Sequence, residues 1–210
     1  MRAPAPSPGR PRDPRTDEAI MLATRRQLTE VGYDQVSMES IAREAGVGRP
    51  TIYRRWPSKA HVVFDVAFGS PAAIGDTLSG SGNFADDLRR FVREVRAFWR
   101  EPVVAAAALG ILADRNRDPQ LQIRTQQILD QETRTLFGGL VQSGIDQGVV
   151  RADLDADTLF DLLVGTSFYT AQVLQRDGAV DETDEAVERL CSLVIQGTQI
   201  RAPHPNGDNA

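Results

Sequence analysis

Three short apolar-periodic stretches, cut apart by glycine and proline, constrain the first third of the chain more than any other feature. The first opens at Thr16, with Asp17 and Glu18 in a first turn where the helix dipole favours acids, and passes through Ile20, Ala23, Leu28 and Val31 to Gly32. The second opens at Ser37, an N-cap type, with Val36 and Ile41 at the spacing of a hydrophobic staple, and runs through Ala42 and Ala45 to Gly46. After the tight connection Ala45-Gly46-Val47-Gly48 a third begins, tolerates Pro50 in its first turn and ends before Pro57. Helices this short, joined through a glycine-containing turn, form a helix-turn-helix, whose second helix has the size to enter a major groove.

Around this unit the spacing predicts further helices. Ser58 caps a fourth, to Phe68, and others follow near 84 to 99, 102 to 116, 119 to 143, 156 to 176 and 184 to 200, begun by Asn83, Asp118-Pro119, Asp155 and Asp184. Alternating Val/Ile/Thr runs are missing, so the chain reads as all-α. Residues 1–15 hold five prolines and four arginines without apolar periodicity and read as a disordered arm. Glycine, serine and Pro71 between Gly69 and Asn83 mark a domain boundary. The expected organisation is an arm at 1–15, a first domain at 16–69, a linker at 70–83, a second domain at 84–201 and a disordered tail at 202–210.

Composition narrows the function classes. The longest apolar run, Val103 to Ala113, is eleven residues, short of the ~18 needed to span a bilayer, and no secretory signal is visible, so a cytoplasmic protein without membrane partners is expected. One cysteine and two histidines, His61 and His204, argue against a Cys/His zinc site, and no cofactor motif occurs. Charge is uneven: residues 1–69 carry 11 basic against 8 acidic side chains, the remainder 13 against 21. A basic end facing an acidic body suits a nucleic-acid-binding end and a larger body with another task.

Residues 20–64 resemble the DNA-binding domain of the tetracycline-repressor (TetR) family of bacterial regulators. Gly32-Tyr33, Val36-Ser37-Met38-Glu39-Ser40-Ile41-Ala42, Ala45-Gly46-Val47, Thr51-Ile52-Tyr53 and Pro57-Ser58-Lys59 reproduce that signature in order and spacing. Gly48 stands where the family usually has Ser, Arg55 where His or Tyr is common, Trp56 for Phe and Ala60 for Glu. The resemblance implies a three-helix helix-turn-helix domain followed by a helical ligand-binding and dimerisation domain. It further implies a homodimeric repressor that binds a palindromic double-stranded DNA operator and is released by a small molecule.

The residues expected at DNA are Ser37, Gly48, Arg49, Pro50, Thr51, Tyr53, Arg54, Arg55 and Lys59. They offer donors for phosphates and base edges, with Arg49 the best base reader because a guanidinium can bond guanine bidentately. Lys59, the only lysine in the chain, sits in a first turn where a cation opposes the dipole, which suits a nearby phosphate. Ile52 and Trp56 are expected in the small core. In the arm, Gly9-Arg10-Pro11-Arg12 resembles an AT-hook core that would enter a narrow minor groove. For the second domain, Trp99, Phe137, Phe168 and Tyr169 are candidate walls for a mostly apolar ligand. By resemblance the last two helices pair with their copies, through Leu159, Leu163, Ser167, Val187, Leu190, Cys191 and Val194, with Cys191 an inert buried thiol. No nucleophile elbow, phosphate loop or dinucleotide fingerprint supports an enzyme. Two other readings stand beside the repressor: an activator, and a helical binding or interaction protein whose helix-turn-helix has lost DNA affinity, raised by Gly48 and Arg55.

Overall fold

The computed structural model describes residues 14–69, 81–174 and 184–198, and among these every regular element is helical. The AT-hook stretch and the tail at 202–210 lie outside the described residues, as does most of the 70–83 linker. In chain order the helices are α1 (Pro14–Gln35), α2 (Met38–Glu44), α3 (Arg49–Tyr53), α4 (Lys59–Phe68), α5 (Phe84–Arg100), α6 (Pro102–Arg115), α7 (Pro119–Thr125), α8 (Glu132–Asp146), α9 (Ala156–Phe168) and α10 (Asp184–Thr198). Two π-helical segments, Gln126–Gln131 and Tyr169–Val173, extend α7 and α9.

Local chemistry sets the boundaries. Ser37 accepts the Ser40 amide at 3.1 Å while Ser40 Oγ accepts the Ser37 amide, closing a capping box at α2. At the other end Gly46, at φ +67°, donates to the Arg43 carbonyl and Val47 to the Ala42 carbonyl, a Schellman turn that only a residue at ease with positive φ supplies cheaply. Asn83, Asp118 and Asp155 cap α5, α7 and α9 through their side chains as expected.

Several expectations are corrected. Helix α1 starts at Pro14, where a missing amide costs nothing, rather than at Thr16. At Gly32, φ +74° and ψ 168°, the backbone leaves helical geometry where the sequence places the stop, and Tyr33 beyond it turns inward. Ser58 makes no side-chain cap, since its hydroxyl lies 3.0 Å from His61 Nδ1. The single helices expected over 119 to 143 and 156 to 176 each pass through π geometry. In the second, Ser167 Oγ donates to the Leu163 carbonyl and Thr170 Oγ1 to that of Thr166, bonds that loosen a helical ladder.

Two cores form, and they do not follow the linker. The first joins Ile20, Leu28, Ile41, Ile52, Val63 and Phe64 of α1–α4 to Val104, Ala107 and Ile111 of α6 and Leu121 of α7. The second gathers α5, α8, α9 and α10 about a triad of Phe91, Phe137 and Phe160, with ring centroids 4.6 to 6.2 Å apart. Trp99 packs on both.

The seam between α1 and α6 is held at Tyr33. Its hydroxyl donates to Asp114 Oδ2 at 2.5 Å, its ring covers Gly110, and Lys59 Nζ sits 4.4 Å over its centroid. Burial and the bond to Asp114 hold the phenol well above its usual pKa. A Cβ at position 110 would lie 2.2 Å from Tyr33 Cδ1. Gly110→Ala therefore forces the ring off α6 and is expected to cost about 1–3 kcal/mol in chemical denaturation, despite alanine's better helix propensity. A neutral or stabilising result would mean that Tyr33 has another resting place.

Candidate DNA-binding surface and ligand cavity

Helix α2 is set in the first core by Met38, Ile41 and Ala42, whereas α3 hangs from it by few anchors. Ile52, fully buried, is the one buried residue of α3, and Trp56 just beyond it is 7% exposed, with Nε1 donating to Asp65 Oδ2 at 2.7 Å. Both sit where the sequence places them. With Ile52 turned inward, the opposite side of α3 presents Gly48, Arg49, Pro50, Tyr53 and Arg54 to solvent, with Thr51 half-buried. Arg49 is ion-paired with Glu39 of α2, which holds the guanidinium beside the first turn of α3.

Three expected DNA residues are placed differently. Arg55 turns back to α1: its side chain is 9% exposed, ion-paired with Asp17 and donates from Nη1 to the Thr51 carbonyl. Lys59 donates to the Tyr33 carbonyl at 3.0 Å and reaches that of Asp34 at 3.5 Å. Its charge thus meets the negative end of α1, which offsets the penalty at the start of α4 without a phosphate. Ser37 is half-buried and committed to its capping box. Asp17 and Tyr33 were the partners that sequence reading missed, because these pairings span tens of residues and leave no local periodicity.

The second domain holds a cavity of about 690 Å³ between α5, α6, α7, α9 and the first π-helical segment. Its apolar wall is Trp99, Leu112, Leu129, Phe160, Val164 and Phe168. A narrow apolar recess shares four of these residues and reaches Phe68 at the end of α4. Polar groups enter from Arg115, Gln122, Thr125, Gln126, Asp130 and Asp161. Of the four expected walls, Trp99 and Phe168 are present, edge to face at 5.0 Å. Phe137 is not: it is fully buried in the second core. Tyr169 is not either, since it is half exposed outside the cavity. Phe160 takes the place of Phe137 in the wall.

The expected dimer residues are also corrected. Leu159, Leu163, Ser167, Val187, Cys191 and Val194 are buried within the single chain, and Leu190 is half-buried against the same core. A side chain already inside one protomer has no face to offer another. The outward side of α9, its π extension and α10 instead carries Leu162, Gly165, Tyr169, Val173 and Leu193, the last 71% exposed. Burial pushes the Cys191 thiol up to about 11, so it stays protonated near neutral pH.

Arg124 links the cavity to the DNA-binding end. Its guanidinium meets Asp65 Oδ1 at 2.5 Å, the carboxylate whose other oxygen holds Trp56, and its chain neighbours Thr125 and Gln126 line the cavity.

Comparison with known proteins agrees with this architecture. The family description "Bacterial regulatory proteins, tetR family" matches residues 20–66, and "Tetracyclin repressor-like, C-terminal domain" matches residues 78–192. The chain belongs to the TetR family. The HTH-type transcriptional regulator YdeS of Bacillus subtilis is 32% identical over 77% of this chain and 80% of its own length. The regulator Rv1556 of Mycobacterium tuberculosis is 29% identical over 90% of this chain and 89% of its own. A TetR transcription regulator from Haloarcula marismortui shares the fold at a TM-score of 0.69 and 22% identity, covering 90% of this chain and all of that one. This TetR-family chain is a DNA-binding transcriptional regulator, not an enzyme. Among the described residues no helix is long and apolar enough to cross a membrane.

Proposed function

We propose that this regulator is a homodimeric repressor that holds a palindromic operator through α2 and α3 and releases it when a small, mostly apolar molecule fills the second-domain cavity. The observation that carries the reading is the continuity from cavity to recognition helix: Thr125 and Gln126, then Arg124, Asp65 and Trp56, with Phe68 of α4 in the recess beside them. A ligand that displaces α7 or α4 moves the carboxylate that fixes the end of the recognition segment. Release requires the ligand to bind the DNA-free arrangement more tightly, about 10⁴-fold for a near-complete switch.

The outward apolar stripe of Leu162, Tyr169, Val173 and Leu193 supports pairing of two chains through their last two helices, and Gly165 allows a close approach. A two-fold dimer sets its recognition helices ~34–36 Å apart, one turn of DNA, so the operator has matching half-sites. The purified protein, used to select fragments of its own genome, is expected to enrich one shared palindrome. Enrichment no better than for random DNA removes the operator reading.

At the surface, Arg54 and Arg49 are the cations for phosphates and base edges, while Arg55 serves the fold. Arg54→Ala is expected to lower the salt slope of binding by about 0.9 for each phosphate left without its cation, or about 2 for a dimer carrying two copies. Arg55→Ala is expected to lower the melting temperature by removing the Asp17 pair and to leave that slope unchanged. Equal slopes for wild type and Arg54→Ala would remove Arg54 from the interface.

A further inference from the structure

We infer that the cavity recognises an organic carboxylate: an apolar body whose anionic head pairs with Arg115. This rests on the cavity being the effector site and goes beyond it by naming the head group and its end of the pocket.

One charged group in the wall lacks what its chemistry asks for. Arg115, in the last turn of α6, lines the cavity half-buried with no ion-pair or side-chain hydrogen-bond partner among the described residues. A guanidinium offers several coplanar donors matched to a carboxylate, and a half-buried one gains most from an anion.

The remaining charges orient the ligand. Asp130 and Asp161 line the cavity, and Arg134 joins both at 2.8 and 2.7 Å while also meeting Asp157 at 3.2 Å. Three carboxylates around one guanidinium leave this edge negative. Asp130 lies eight residues beyond Gln122, which lines the opposite end, a separation of roughly 10 Å along the helix. Arg115 belongs to the Gln122 end, because only Asn116, Arg117 and Asp118 separate it from the start of α7. A carboxylate is thus drawn toward Arg115 and repelled from the Asp130 and Asp161 edge, and the apolar body fills the space between.

The test is calorimetric titration of the full chain with decanoate, decanol and decylamine, three probes with one tail and different heads. Decanoate is expected to bind once per chain and tighter than either other probe. Arg115→Gln is expected to weaken decanoate about 10- to 100-fold while decanol binding stays as it was. Unchanged circular dichroism and melting temperature keep this variant interpretable, and Arg115→Lys, which retains the charge, is expected to recover part of the affinity.

Decanol or decylamine binding as tightly as decanoate overturns the assignment, as does an Arg115→Gln protein with wild-type decanoate affinity, or failure of all three probes to bind. Arg115-dependent decanoate binding that leaves operator affinity untouched keeps the assignment and overturns ligand release. Release of the operator by an uncharged molecule, with no decanoate binding, does the reverse.

Discussion

Ile52→Asp is expected to abolish specific DNA binding, raising the dissociation constant more than 100-fold, while most of the helical signal survives. Helix α3 has five residues and one buried side chain. An isolated helix that short has no stability of its own, so its position depends on the packing of Ile52. A carboxylate forced into that site costs several kcal/mol, and the cheaper outcome is for α3 to swing out and expose the charge. Ile52→Val, which keeps the anchor and removes one methylene, is expected to cost about 0.5–1.5 kcal/mol and leave the binding site preference intact. Operator titrations at one salt concentration, with circular dichroism on the same samples, decide the matter. Wild-type affinity in Ile52→Asp would mean that α3 is held chiefly by the Schellman turn before it and Trp56 after it.

The second large effect is in the other core. Phe137→Ala is expected to lower unfolding stability by about 3–5 kcal/mol, because the ring is fully buried between Phe91 and Phe160 and α8 cannot collapse into the space. At about 2–4 °C per kcal/mol for a chain of this size, the melting temperature falls by roughly 10 °C. The measurement belongs at one fixed protein concentration, since any association of copies would add its own stabilisation. A change under 1 kcal/mol would show that the triad is loosely packed. Phe137→Leu, which retains most of the volume, is expected to leave probe binding in the neighbouring cavity unaltered, because Phe137 backs the wall formed by Phe160 without lining the cavity.

What could be read from the sequence divides along the range of the interactions. The helix-turn-helix was legible because its determinants are local: the Ser37 cap, Gly46 at its positive φ, Pro50 in a first turn and a buried Ile52 all act within a few residues. The positions of Arg55 and Lys59 were not, because their partners, Asp17 and the Tyr33 carbonyl, arrive through tertiary packing. The two π-helical segments were also hidden, since apolar spacing at 126–131 and 169–173 fits a 3.6-residue period nearly as well. In the second domain the apolar stripes of α9 and α10 were seen correctly and assigned to the wrong neighbour. A stripe containing Leu163 and Cys191 says only that one face is buried. Whether a helix of the same chain or of a second copy covers it is not written in the periodicity.

The first core spans a break in the chain: α6 and Leu121 of α7 complete the packing of α1 and α4, although they follow the linker. Cutting at Gly69 would therefore strip the helix-turn-helix of part of its interior, leaving Val63, Phe64 and Tyr33 facing water. The same holds for hybrids that join this reading head to another sensor. A fusion made at the linker replaces α6 and meets Tyr33 with a foreign helix that lacks both Gly110 and Asp114. The transferable module is discontinuous, comprising residues 14–69 together with the inward face of α6, and a hybrid regulator that carries both pieces keeps its grip on the sequence it was taken to read.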